Sequence, residues 1–132
     1  MSQKVRIVLE SIAVDSAGGD YGGDLELYGS VTAEGGSAIG LFSKGSGNYV
    51  QIHEGNQFGQ LIAEGILDVV PQAGQAIRLR ANLTDVDDLS SDDTICSDVI
   101  SLPFETGWRR SATVNCTGDS SRVRLNFSLT PI

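Results

Sequence analysis

Two stretches of this chain alternate apolar and polar residues with a period of two, and that pattern limits the fold more than any other feature. Ile77, Leu79, Ala81 and Leu83 are interleaved with Arg78, Arg80, Asn82 and Thr84. Val123, Leu125, Phe127 and Leu129 are interleaved in the same way with Arg122, Arg124, Asn126 and Ser128. A helix would scatter such residues around its circumference, whereas a strand puts each set on one face, so both stretches read as half-buried strands of an antiparallel sheet. No window of helical length carries the i, i+3, i+4, i+7 apolar spacing between capping residues.

Further apolar runs predict strands near 4–14, 24–33, 38–43, 48–53, 60–70, 75–84, 95–104, 108–116 and 121–130. The separators are turn-formers: Glu34-Gly35-Gly36-Ser37, Lys44-Gly45-Ser46-Gly47, Glu54-Gly55-Asn56-Gln57, Gln72-Ala73-Gly74 and Thr117-Gly118-Asp119-Ser120. Eight or nine short strands at near-regular spacing imply an antiparallel β-sandwich, with a closed barrel as the alternative. With 132 residues and no repeat, linker or low-complexity segment, residues 1–132 read as one domain.

The charge balance narrows the partners. The formal net charge is −8, with nine Lys and Arg against seventeen Asp and Glu. Nucleic acid is excluded as an expected partner, because phosphate binding needs a basic surface. Direct attraction to an anionic membrane is disfavoured unless bound cations first reverse the local sign. No transmembrane segment is expected, and the start is too polar after its basic residues for a clear signal peptide, so the chain reads as cytoplasmic or as part of an exported protein. Cys96 and Cys116 either pair in an oxidising compartment or remain half-buried thiols. Asn82-Leu83-Thr84 and Asn115-Cys116-Thr117 match the glycosylation pattern of a eukaryotic secretory setting.

The acids are concentrated rather than dispersed. Asp15, Asp20, Asp24 and Glu26 fall within 15–26, and Asp85, Asp87, Asp88, Asp92 and Asp93 within 85–93. Nine of the seventeen acids thus lie in two short stretches, neither containing Lys or Arg. Crowded carboxylates repel unless a cation offsets them, and Ca²⁺, which takes six to eight oxygen ligands, suits flexible loops with acids at alternate positions. Each stretch alone is equally readable as a solvated acidic turn; their joint occurrence, each directly after an apolar strand, favours metal binding. An EF-hand starting at Asp85 fails, since Leu89, Ser90 and Cys96 stand where Asp or Asn, Gly and Glu are required. The single glycine-aspartate stretch 18–24 has no repeat on which to stack, so a β-helix reading fails too.

In the segment 83–96, Leu83 precedes Asp85, Asp87, Asp93 and Ile95, with Cys96 following. Near the N-terminus, Asp15 follows Ile12-Ala13-Val14, and Asp24 precedes Leu25-Glu26-Leu27-Tyr28. This arrangement resembles C2 domains, β-sandwiches of eight strands whose loops at one edge coordinate Ca²⁺. Cys96 stands where their third loop usually has Gly, and the first loop is longer and lacks the usual Asp-Pro-Tyr. The resemblance covers about half the chain. It implies Ca²⁺ held by Asp15, Asp85, Asp87 and Asp93, with Asp24 next and Asp20 or Glu26 as rivals, while Asp88 and Asp92 point to solvent. Tyr21 and Leu89 fall near the loop centres, either as membrane contacts or as ordinary exposed residues.

No catalytic constellation stands out, and the chain is not expected to be an enzyme. The single histidine, His53, reads as a surface or capping residue. Trp108 either anchors the core or stacks on a ligand such as a sugar. Three functions follow as expectations: a Ca²⁺-dependent C2-like module docking on phospholipid or a protein partner; a sandwich from an exported protein or toxin with structural Ca²⁺; and a Ca²⁺-dependent carbohydrate-binding module.

Overall fold

A computed structural model describes residues 2–18, 23–86, 92–118 and 120–132. Among these residues ten strands form: β1 (Gln3–Ser16), β2 (Asp24–Glu34), β3 (Ala38–Lys44), β4 (Val50–His53), β5 (Gln57–Phe58), β6 (Ala63–Val69), β7 (Ala76–Asp85), β8 (Asp93–Pro103), β9 (Arg110–Gly118) and β10 (Ser121–Pro131). The expected all-β sandwich is what forms. The tenth strand is the two-residue β5, too short to leave a periodic signature in the sequence.

All pairings are antiparallel, and they make two five-stranded sheets. In sheet A, β1 lies between β10 and the two short strands β5 and β6, and β9 forms the far edge. In sheet B, β2 lies between β7 and the short strands β3 and β4, and β8 forms the far edge. The two alternating stretches become the central strands β7 and β10, and their apolar sets are buried. Facing them across the interior are Ile7, Leu9 and Ile12 of β1 and Leu25, Leu27 and Val31 of β2. Each fully buried Leu or Ile contributes about 1.5–3 kcal/mol relative to exposure.

Two irregularities matter. In β1 the register shifts between Leu9 and Ser11, so Leu9 and Ile12 both stay inside although their spacing is odd. On the β8–β9 side, Cys96 and Cys116 form a disulfide with their Cα atoms 4.9 Å apart, joining the edges of the two sheets. Close approach there also depends on Gly118, where a Cβ would lie 2.7 Å from the carbonyl oxygens of Thr94 and Ile95.

Trp108 packs in the core rather than outside it. Only 4% of it is exposed, its indole N–H donates to the Leu102 carbonyl at 2.8 Å, and Phe104 meets it edge-on. A buried ring offers no face for a sugar, so the expectation of Trp108 as a ligand contact is corrected. Among the described residues no helix is long and apolar enough to cross a membrane.

Candidate metal centre at the loop end

The ends of β1, β4, β7 and β9 and the starts of β2, β5, β8 and β10 lie at one end of the sandwich, with Val14 of β1 bonded to the 54–56 turn. The strand registers require this, because Asp24 is opposite His53, Leu27 opposite Asp85, Asp85 opposite Asp93, and Ser121 opposite Gly118. Both acidic stretches therefore emerge from the same end. Asp20, Tyr21, Asp87, Asp88 and Leu89 lie outside the described residues.

Asp85 is the most constrained acid of the set. It ends β7, is 2% exposed, and its Oδ1 accepts a hydrogen bond from the Glu26 backbone N–H at 2.7 Å. The Glu26 carbonyl in turn accepts from Val86 N–H at 2.9 Å, so β2 holds the strand end in place. A register shift between Leu83 and Thr84 then decides the rest. Leu83 is opposite Cys96, and an unbroken ladder would set Asp85 against Thr94; the shift sets it against Asp93 instead. Residues directly opposite share a face of the sheet, so the two aspartates point the same way with no intervening residue. Like charges so placed repel, and a cation between them would reverse the sign of that interaction.

The remaining acids are engaged elsewhere. Asp15 makes a two-pronged contact with Arg124 of the neighbouring strand β10, at 2.6 and 2.9 Å. The hydrogen bonds from Arg124 lower its carboxyl below the ordinary range, with partial burial working against them. Arg124 lies between the buried Val123 and Leu125, so this pair sits on the outer face of sheet A. Asp24 receives His53 Nδ1 at 2.7 Å and Gln51 Nε2 at 2.8 Å. Its carboxyl is lowered chiefly by the His53 contact and then by Gln51. Glu26 alternates with the buried Leu25 and Leu27, so its carboxylate faces outward from sheet B while its backbone positions Asp85. Asp92, expected to face solvent, is exposed and accepts a hydrogen bond from the Tyr28 hydroxyl at 2.8 Å, which raises the pKa of that phenol.

One acid at this end escaped the sequence reading. Glu54, in the turn after β4, accepts from Ala17 N–H at 3.0 Å through Oε1, and its own N–H donates to the Gly23 carbonyl at 2.8 Å. It thereby pins both ends of the first acidic connection. The available signal was an acid beside His53 in a glycine turn, which is also the composition of an ordinary turn.

Among the described residues, the three-member group of metal-ligating side chains that lies close together is Cys96, Asp98 and Cys116. Its sulfurs are joined to each other, so it offers no thiolate to a metal. For a hard cation the donor set that fits is oxygen-only: Asp85 and Asp93 face the same side, and Asp87 belongs to the connection between them. Asp15 and Asp24 would have to exchange their present partners to join it.

The fold is C2-like. A C2 domain of a plant extended synaptotagmin 1 superposes with a TM-score of 0.55 at 12% identity, over 98% of this chain and 93% of that one. A C2 domain protein from Ramazzottius varieornatus gives 0.47 at 16% identity, over 99% and 89%. A chain of the Cry23Aa1 and Cry37Aa1 binary complex gives 0.44 at 17% identity, over the whole of both chains. No protein-family model matches the sequence, and a search of curated proteins finds no match. At these identities the likeness concerns the fold.

Proposed function

We propose that this chain is a Ca²⁺-binding C2-like module whose ion is held at the loop end by Asp85 and Asp93, with Asp87 and Asp20 completing the shell. The observation that carries this reading is the pairing of the buried Asp85 directly opposite Asp93. A fold would gain stability by separating two such carboxylates, and here a register shift brings them together. Bound Ca²⁺ would supply positive charge at an end otherwise dominated by acids. Any coordination position left open could accept a lipid phosphate or a partner's carboxylate.

The test is the melting temperature in EDTA and in millimolar Ca²⁺, with Mg²⁺ as control. An ion bound only by the folded state at a hundred times its Kd adds about 2.7 kcal/mol. For a domain of this size that is a rise of roughly 5–10 °C with Ca²⁺ and little with Mg²⁺. No rise in Ca²⁺ would overturn the reading.

A second reading, structural Ca²⁺ in a domain of an exported protein, is favoured by the Cys96–Cys116 disulfide beside the site, because such bonds persist in oxidising compartments. Sedimentation with anionic liposomes separates the two. Ca²⁺-dependent pelleting supports docking on a membrane, and a thermal shift without pelleting or partner binding supports the structural role.

A further inference from the structure

The two sides of the sandwich are closed differently. The β8–β9 side is joined by the disulfide. On the opposite side both sheet edges are interrupted. Along β2 the partner changes from β3, ending at Lys44, to β4, beginning at Val50. Along β1 it changes from β6, beginning at Ala63, to β5, ending at Phe58. The two gaps face each other and leave a cavity of about 360 Å³ between the sheets, at the lower end of the range for small-molecule sites.

Its walls are Leu41, Phe42, Phe58, Leu61 and Ile62, with Lys44 also lining it. The irregularity in β3 turns Leu41 and Phe42 inward together, since Val31 pairs with Phe42 and Thr32 with Gly40, leaving Leu41 as the extra residue. Gly59 begins the 59–62 stretch at φ +77°, and a Cβ there would fall 2.6 Å from Ile62 Cγ1, so the backbone folds tightly onto that side chain. Leu61 forms a lip and is 59% exposed. Lys44 is exposed and, like Arg78, Arg109, Arg110 and Arg122, is in no ion pair among the described residues.

An apolar slot with one cation among its lining residues selects a ligand with an alkyl body and an anionic head, the local charge of Lys44 opposing the overall net charge of −8. We propose that this slot binds a free, single-chain carboxylate amphiphile, with the alkyl chain between the sheets and the carboxylate on Lys44. A monomer fits better than a bilayer, because the apolar surface lies recessed between two sheet edges and only Leu61 of its walls projects as a large exposed apolar side chain.

The test is calorimetric titration with sodium dodecanoate below its micelle concentration. It is run in EDTA, so the outcome is independent of any Ca²⁺ site. One-to-one saturable binding is expected, weakening by up to about fourfold for each methylene removed. Lys44→Glu should weaken dodecanoate roughly tenfold, and wild type should prefer dodecanoate to dodecyltrimethylammonium. Leu61→Asp, at a position 59% exposed, should reduce binding of both amphiphiles. Absence of saturable binding, insensitivity to Lys44→Glu, or Leu61-dependent binding to anionic vesicles without binding of monomeric dodecanoate would each overturn the proposal.

Discussion

Asp85 and Asp15 carry the same charge and read alike in the sequence as ligands, yet their surroundings differ. Asp85 is buried at a strand end opposite Asp93, whereas Asp15 is held by the Arg124 fork on the outside of the other sheet. Asp85→Asn keeps an oxygen to accept from Glu26 N–H, so the fold should persist while the Ca²⁺-dependent rise in Tm disappears. Asp15→Asn should leave most of that rise, and the same melting experiment compares the two. Asp24 allows a pH test. Its carboxyl titrates below the reference value of 3.8 because His53 and Gln51 bond its ionised form. A depressed folded-state pKa means a contribution present above the unfolded pKa and lost as pH falls through the folded one, so this contact stabilises at neutral pH and fades only below the ordinary carboxylate range. His53→Ala should move the Asp24 titration, followed by carboxyl NMR shifts, upward toward that reference; an unchanged titration would show that His53 does not hold the carboxylate. The acids themselves were legible as a concentrated pattern. Which of them share a face was not, because the Asp15–Arg124 contact joins residues 109 positions apart and the Asp85–Asp93 pairing depends on a register shift that no local pattern announces.

At the level of strands, the sequence was most informative where burial is one-sided. β7 and β10 keep strict alternation over their lengths, so both could be placed from periodicity alone. β1 was recognisable as a strand, but its inward residues were not fully predictable, since the shift at Leu9 and Ser11 moves the pattern by one. β5 has two residues and no periodicity to detect. The Cys pair was equally open, because twenty residues of separation are compatible with pairing and with two free thiols. Once formed, a cross-link of that span restricts the unfolded chain by about 3 kcal/mol. Replacing both cysteines with Ala should lower Tm by roughly 10 °C or more in the metal-free protein. A small change would mean that the β8–β9 contact, with Gly118 against Thr94 and Ile95, is self-sufficient.

For the molecule as a whole, the sandwich is a frame that delivers two acidic connections to one end while committing almost none of its core to them. The buried residues belong mainly to β1, β2, β7 and β10, which carry the ladders on which Asp15, Asp24 and Asp85 sit as terminal positions. This division explains why composition and periodicity revealed the architecture while the relative placement of the acids had to come from the registers. It also explains why, of the two roles open to Trp108 from the sequence, the core-anchoring one is what forms. The unequal sides of the frame have a consequence in time. Where a covalent bond ties the sheet edges, local opening must break the whole unit, but where the edge strands are short and interrupted they can part separately from the centre. Backbone amides in β3 to β6 should therefore exchange with deuterated solvent well before those of β7 to β10, so the sandwich breathes from its unsealed side.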